Sequence, residues 1–498
     1  MSVIQKQSIN HSIVNYVGVV IGTISTLFIY PLSRETYGLA RFLIDTSIFL
    51  YPFILLGFEA VTIRFFPDFK NEKNGHNGFL GFLFIPVILG CIGLSLISLF
   101  WGSEILLWLE RVSPMKFYSD PMISQYVWLI IPITICMSFA WLFNQYSANF
   151  HKITVPAILQ NFIKITLPIL VLIFLRITYN TDTVAFGILG SFMLVVLLYI
   201  IYVWSIGQLK IKFDPSFIKK PQLKSMLTFA LYSLFGGLGT LIAFRIDSIM
   251  VSTLLDLEQN GDFGITSTIA QTIAIPTNAV IAIAAPILSA AWASNDREKI
   301  AEVYQKASLN LLIPGLLIFT GMAVCLDHLF NLMPNGNAIN MGKWVVLTLG
   351  FAKIIDMATS VNNEIISYSK HFRFNFYAVG LLALTNITFN FIFIKEYGIW
   401  GAALATALSI LLYNIGKFLF IYIKFNIQPF TIQTLYLLVM AGIAFLGANW
   451  IPDIGGQLAN LLLKAAVVSL VFLGLVYFGK ISSDFNHLVN KMVLRKYK

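Results

Sequence analysis

Charge is scarce in this chain. It has 33 Lys and Arg and 23 Asp and Glu, so charged residues fill only 11% of its 498 positions, against roughly 25% in soluble domains. Long polar stretches are missing too: none between the apolar segments exceeds about 25 residues, too few for a separate soluble domain. Cysteine is nearly absent. Cys91, Cys136 and Cys325 are odd in number and lie in apolar segments, which excludes a disulfide framework and reads as small core residues. The six histidines (His11, His76, His151, His328, His371, His487) lie at or near loops, whereas a membrane acyltransferase would need one inside a span. What the chain has in abundance is apolar surface, with 58% of residues hydrophobic. A soluble fold of this length could not hide that much. A soluble enzyme, a nucleic-acid binder and a disordered chain are excluded, and a polytopic membrane protein remains.

A spanning helix needs roughly 20 apolar residues. Fourteen segments qualify, near 12–32, 42–66, 78–101, 124–146, 154–175, 183–206, 225–255, 263–291, 307–330, 344–366, 374–394, 398–423, 431–450 and 461–479. Barrel strands would alternate in and out over about ten residues, and these runs do not, so the predicted class is all-α. The first segment outlasts a signal-peptide core, and Tyr30–Arg34 offers no small-x-small cleavage site. Gly474–Lys480 imitates a Walker A loop, but Ile481 follows the lysine where Ser or Thr is required.

Lys and Arg placement sets the orientation. With the N-terminus inside, 21 fall on the cytoplasmic side and 7 on the other. This predicts both termini in the cytoplasm, and a net charge of +10 that reflects loop bias and anionic lipid, not nucleic acid. Arg41 is counted on the outer flank, and Asp256–Asp262, without Lys or Arg, reads as an outer loop.

The lysine-rich connection Gln208–Lys224 divides the chain after the sixth span. Pro86 in span 3 is matched by Pro314 in span 9, and Gly187–Gly190 at the start of span 6 by Gly401–Leu404 in span 12. An offset of six spans, an even number, means parallel repeats. The expected organisation is 1–222 (spans 1–6), 223–427 (spans 7–12) and 428–498 (spans 13–14 and a basic tail). Prolines at 52, 86, 132, 168, 276, 286 and 314 interrupt spans and can kink or hinge them.

Charges at membrane depth cost at least about 2.5 kcal/mol on the insertion scale and tend to face cavities. They are Asp45, Glu59 and Arg64, Lys164, Arg245 and Asp247, Lys353, Asp356 and Glu364, Lys417 and Lys464. Lys353 and Asp356, three apart, share a helix face and can pair. Lys464 reads as a snorkelling residue. Amides such as Asn144, Asn161, Asn362, Asn386 and Asn414 add groups of the kind that bind sugar hydroxyls.

Four short motifs carry a family resemblance. They are Pro31–Ala40 after span 1, Leu56-Gly57 through Arg64-Phe65 at the end of span 2, Phe244-Arg245-Ile246-Asp247 through Met250 in span 7, and Tyr397-Gly398-Ile399-Trp400-Gly401-Ala402-Ala403 through Thr406 opening span 12. In order and spacing they resemble the polysaccharide (O-antigen-type, Wzx-like) flippases of the MOP exporter superfamily. Ser33-Arg34-Glu35 departs from the Leu-Gly-Pro usual there. The resemblance implies a MATE-like fold: two six-helix lobes around a central cavity, with two further helices outside. It implies a flippase carrying a polyprenyl-diphosphate-linked oligosaccharide across the bacterial inner membrane for O-antigen, capsule or exopolysaccharide assembly. The expected cavity residues are Arg34, Glu59, Arg64, Lys164, Arg245, Asp247, Lys353 and Asp356. Arg64, near the cytoplasmic end of span 2, is expected to meet the diphosphate first and to pair with Glu59 when empty. No catalytic residue, metal or cofactor is expected. Coupling to Na+, H+ or the membrane potential stays open. Membrane lipids, a polysaccharide polymerase and chain-length machinery are the expected partners. A peptidoglycan lipid flippase, a drug/cation antiporter and a membrane glycosyltransferase or polymerase stay as alternatives.

Overall fold

The computed structural model describes residues 3–72, 74–150, 152, 154–211, 220–339 and 342–494. Lys73, His151, Lys212, Lys219, Arg495, Lys496 and Lys498 lie outside the described residues, as does the middle of the Gln208–Lys224 connection. The side chains at 3–12, 220–221, 240–244 and 492–494 also lie outside the description, Lys6, His11 and Lys220 among them. The described chain is almost all helix, with no strand among the described residues. It divides into two compact units, 1–264 and 265–498.

The first unit holds α1 (Val3–Ile24), α2 (Arg34–Leu55), α3 (Phe58–Arg64), α4 (Phe79–Val112), α5 (Ile130–Ala148), α6 (Phe162–Ile173), α7 (Asp182–Ser205) and α8 (Lys220–Leu254). It also takes the first turns of α9 (Leu257–Gln271). Helix α2 is its axis and packs on α4, α5, α7 and α8, burying Leu39, Phe42, Leu43, Ile54 and Leu55 completely. Below it lies an aromatic core of Phe66, Phe69, Phe79, Phe143, Tyr146 and Tyr199. His76 is buried in this core, against Phe66 and 2.7 Å from Gln208.

The second predicted span, 42–66, is not one helix. It stops at Leu55, turns through Leu56 (φ 51°) and Gly57 (φ 77°), and restarts as the short α3. Both residues are left-handed, a conformation that glycine adopts freely and that costs a non-glycine residue such as Leu56 about 1–3 kcal/mol. A Cβ on Gly57 would also overlap the Ala230 carbonyl of α8. At the other end of α2 the same device recurs, for a Cβ on Gly38 would meet the Leu257 carbonyl and one on Gly261 the Arg34 carbonyl. The expected outer loop Asp256–Asp262 is therefore a helix start docked on α2. Asn260 is fully buried, donating to the Gly38 carbonyl (3.0 Å) and accepting from Ser248 (3.0 Å).

The second unit holds α10 (Thr277–Ala293), α11 (Arg297–Leu332), α12 (Gly342–Thr359), α13 (Asn362–Tyr368), α14 (Arg373–Phe425), α15 (Ile432–Asn449) and α16 (Gln457–Phe478). At 53 residues, α14 would be too long for one crossing, since a straight helix of that length runs to about 80 Å against roughly 30 Å of hydrocarbon. It turns back at Gly398 (φ 58°, ψ −137°). Across the turn Asn386 donates to Thr406 (3.3 Å), a contact that two antiparallel halves allow and a straight helix does not. The terminal pair α15 and α16 pack on each other and on α11.

Among the described residues ten helices are each long and apolar enough to cross a membrane, and up to twelve spans result if each of two bent pairs is counted as one. The bends are 42° between α9 and α10 and 44° between α12 and α13. The expected fourteen is not reached on this measure, in which α14 enters once despite its turn and α8 does not enter.

The glycine contacts give a paired test. Gly57→Ala should lower apparent stability in detergent by at least about 1–3 kcal/mol. Gly190→Ala, whose Cβ meets nothing within 4 Å, should be neutral or stabilise by up to about 1 kcal/mol. Equal melting temperatures for the two variants would contradict the close-approach account.

Candidate functional site

Arg41 and Asp45 are four apart on α2 and so lie on one helix face. Arg41 Nη2 donates to Asp45 Oδ2 (3.1 Å), and Arg245 Nη1 of α8 donates to Asp45 Oδ1 (2.8 Å). Each carboxylate oxygen thus takes one guanidinium. Asp45 is 4% exposed, while the Arg245 side chain is 40% exposed. The cluster keeps one positive charge in excess, and it is carried on the open side by Arg245.

Arg245 lines a cavity of about 520 Å³ within the first unit. Lys164 lines it as well, adding a second cation. The remaining wall is mostly apolar, with Ile44, Ile48, Met137, Ile163 and Val195 among it, and carries the polar and aromatic groups Asn15, Asn144, Asn161, Tyr51, Trp141 and Tyr199. Local breaks place these groups. The fifth predicted span is broken at Asn161, between Thr154–Gln160 and α6. The Asn161 amide donates to Asn15 of α1 (3.0 Å) and to the Ala157 carbonyl (2.9 Å). It lies where a Cβ on Gly18 would stand, so the α1 glycine is what admits it.

The other predicted residues scatter. Arg34 does not line this cavity. It is paired with Asp262 (2.8 Å) and Glu258 at the junction of α2 and α9. Asp247 is buried on α8. Glu59 does not line the cavity but lies beside two residues that do, Tyr51 and Trp141. It does not pair with Arg64. The break at Gly57 moves both onto α3, where Arg64 is exposed and stacks over Phe229 at 4.2 Å. There Arg64 shares a separate groove with Lys224, Ser225, Thr228 and Tyr232.

Lys353 and Asp356 belong to the second unit and are half-buried on α12. Asp356 accepts from Asn414 (3.2 Å). Lys417, 1% exposed, donates to Tyr413 (2.6 Å) and Asn363 (3.1 Å), within electrostatic reach of Asp356 and Glu364. Lys464 reaches Asp453 (2.8 Å) in the connection before α16, as snorkelling requires.

Sequence reasoning left Arg41 and Asp45 out of the site. Arg41 was assigned to the outer flank, but it sits in the second turn of α2. The i, i+4 spacing with Asp45 was the available signal.

The clamp predicts a rescue. Asp45→Asn strands Arg41, whose Nε already has no hydrogen bond among the described residues. Losing one partner of a buried pair costs about 3–5 kcal/mol, so folded yield and melting temperature should drop. Adding Arg41→Gln should restore part of the loss, whereas a double variant no better than Asp45→Asn would contradict the shared-carboxylate reading.

Comparison with known proteins bears on this fold. A probable low-salt glycan biosynthesis flippase, Agl15 of Haloferax volcanii, is 24% identical over 238 residues, 46% of this chain and 50% of that protein. The chain thus aligns with about half the length of that relative. The solved lipid II flippase MurJ, in an inward closed conformation, matches with a TM-score of 0.73 at 14% identity, over 98% of this chain and 100% of that one. An inward-facing multidrug resistance MATE family transporter of the MOP superfamily matches with a TM-score of 0.65 at 14% identity, over 82% and 94%. At such identity these likenesses show the fold. The family model described as polysaccharide biosynthesis protein matches residues 6–292, more than half of the chain. The chain is an integral membrane protein with the MOP-superfamily fold and belongs to the polysaccharide biosynthesis protein family.

Proposed function

We propose that this protein flips a polyprenyl-diphosphate-linked oligosaccharide from the inner to the outer leaflet of a bacterial cytoplasmic membrane. The reading is carried by one observation: a membrane-embedded cavity presents Arg245 and Lys164 beside amides and aromatic rings. A diphosphate cannot enter hydrocarbon bare, and charge-assisted hydrogen bonds from a guanidinium replace its water. Asp45 holds Arg245 through one nitrogen, and Arg245 lines the cavity with 40% of its side chain exposed. The lipid tail stays in the bilayer while the headgroup crosses by alternating access. The fold is shared with MurJ, whose name states lipid II as its cargo, and the Haloferax relative is named as a glycan flippase. The drive would come from an Na+ or H+ gradient or the membrane potential. A polysaccharide polymerase and chain-length machinery would act next on the flipped product.

On this reading Arg64 and Lys224, with the hydroxyls of Ser225, Thr228 and Tyr232, form a first contact for the diphosphate at the cytoplasmic end. That placement needs both termini inside. Asn260 is buried and cannot report sidedness, but Asn180 and Glu72 are exposed in connections between helices. A cysteine at Asn180 should react with an impermeant maleimide on intact cells, and one at Glu72 only after permeabilisation. The opposite result reverses the orientation.

Arg245→Ala should leave expression near normal, because Arg41 still neutralises Asp45. Glycan export should fall about tenfold or more, the equivalent of one charge-assisted hydrogen bond at about 1.5–3 kcal/mol. Cells lacking the protein should accumulate the lipid-linked glycan on the cytoplasmic side. Full export by Arg245→Ala in the native host would remove the site, and no accumulation in the deletion would remove the function.

A further inference from the structure

His76 is 1% exposed, and both nitrogens of its ring are in use. The Asn71 backbone N–H donates to Nδ1 (3.3 Å), so Nδ1 carries no proton. The proton is on Nε2, which donates to Oε1 of Gln208 (2.7 Å). The neutral ring has one donor and one acceptor, and both are met. A charged ring has two donors. Its second proton would point at the Asn71 N–H, a donor against a donor. The surroundings do not answer a charge either. Phe66 and Phe150 stand 5.1 and 5.5 Å from the ring. Asp68, Lys70 and Glu72 before it and Lys152 after α5 are exposed. Lys210 is spent on the Glu72 carbonyl (2.9 Å) and the Tyr146 hydroxyl on the Gln208 carbonyl (3.3 Å). None of them ion-pairs with the ring among the described residues, and a buried charge without a partner is disfavoured.

The ring joins two pieces of chain. One is the turn before α4, where Gly75, His76, Asn77 and Gly78 are all left-handed (φ 61°, 52°, 50° and 73°). For His76 and Asn77 that conformation persists only where the surroundings hold it. The other is the segment after α7, where the chain leaves toward α8. Gln208 binds the ring, Leu209 packs on the aromatic core, and the Lys210 stem lies over Gly75. A proton on Nδ1 breaks the Asn71 bond, unseats the ring and takes the Gln208 contact with it.

We propose that His76 is an acid-released latch on the chain between α7 and α8. Neutral, it seats Gly207–Ile211 on the turn before α4; protonated, it lets them part. A histidine's ordinary charge change falls between about pH 5 and 8, so the contact is present at the upper end of that range and lost as pH falls. On the orientation proposed above this is the cytoplasmic end of the unit. The segment leads to α8, the helix that carries Arg245. The latch goes beyond the flippase reading and does not depend on it.

The test uses the purified full-length protein in detergent, with Cys91, Cys136 and Cys325 replaced by serine. A nitroxide is placed on a cysteine at Ile211, which is exposed, or at Asn180, exposed at the opposite end of α7. Label mobility is read by electron paramagnetic resonance from about pH 8 to about pH 5. Acidification should free the Ile211 label, the ratio of released to held chain rising by up to about tenfold per pH unit as one proton binds. The Asn180 label should not change. His76→Gln supplies an amide that accepts from Asn71 and donates to Gln208 without titrating, so its Ile211 label should stay held throughout. Gln208→Ala lacks the acceptor, and its label should be mobile at every pH. A His76→Gln label mobile at every pH also supports the latch, since the transition has gone with the ring. A wild-type Ile211 label that ignores pH overturns the latch. So does the wild-type rise persisting in His76→Gln, an equal rise at Asn180, or a Gln208→Ala label held as in wild type.

Discussion

A carboxylate removed from water into a helix bundle has to be answered by cations or give up its charge. Asp45 is answered twice, by Arg41 from its own helix and by Arg245 from α8. This one group sets much of what the first unit can do. It fixes the rotation of α2 against α8, which apolar side chains in lipid would leave loosely specified. It also holds, by one nitrogen, the guanidinium of a residue that lines the cavity. With two cations to one anion, the positive excess belongs to the cluster and does not depend on a loop.

That geometry requires backbones to come close. Between membrane helices there is little hydrophobic drive, so contact rests on packing and polar bonds, and small residues set the approach. Gly57 admits the Ala230 carbonyl at one end of α2, and Gly38 admits the Leu257 carbonyl at the other. The Arg34 ion pairs with Glu258 and Asp262 reinforce the second contact. Gly38 and Gly57, two of the glycines that carried the family resemblance, thus have a mechanical reason. Each marks a place where another backbone occupies the volume of a side chain.

Composition made the class of fold legible, because 58% apolar residues cannot be hidden without a membrane. Charge at membrane depth likewise pointed to Arg245 and Lys164, which the structure brings to one cavity. The spacing did not reveal where helices stop. A left-handed pair at Leu56-Gly57 costs no hydrophobicity, so a hydropathy reading ran straight through it and put Glu59 and Arg64 on the wrong helix. The same blindness made a loop of Asp256–Asp262. Its acids and amides look solvated in sequence, yet Asn260 is buried by a partner helix more than 200 residues away in the chain. Arg41 was missed for the opposite reason: near a helix end, a basic residue is indistinguishable from an orienting flank until its partner is seen.

Burial separates the cations that can meet a ligand from those that hold the fold. Lys417 is almost fully enclosed, bonded to Tyr413 and Asn363, with Asp356 and Glu364 nearby to balance it. An anion reaching it would have to break those bonds and displace acids, so its charge is committed to tying α14 to α13. Arg245 has the same formal charge, a larger donor fork and 40% of its side chain open. Among the described residues its one ion-pair acceptor, Asp45, is shared with Arg41, so an incoming anion adds to that bond and need not replace it. Residue type alone ranks Lys417 and Arg245 together. The number of acceptors already bound to each, and the share of its surface still open, place only Arg245 at the cavity.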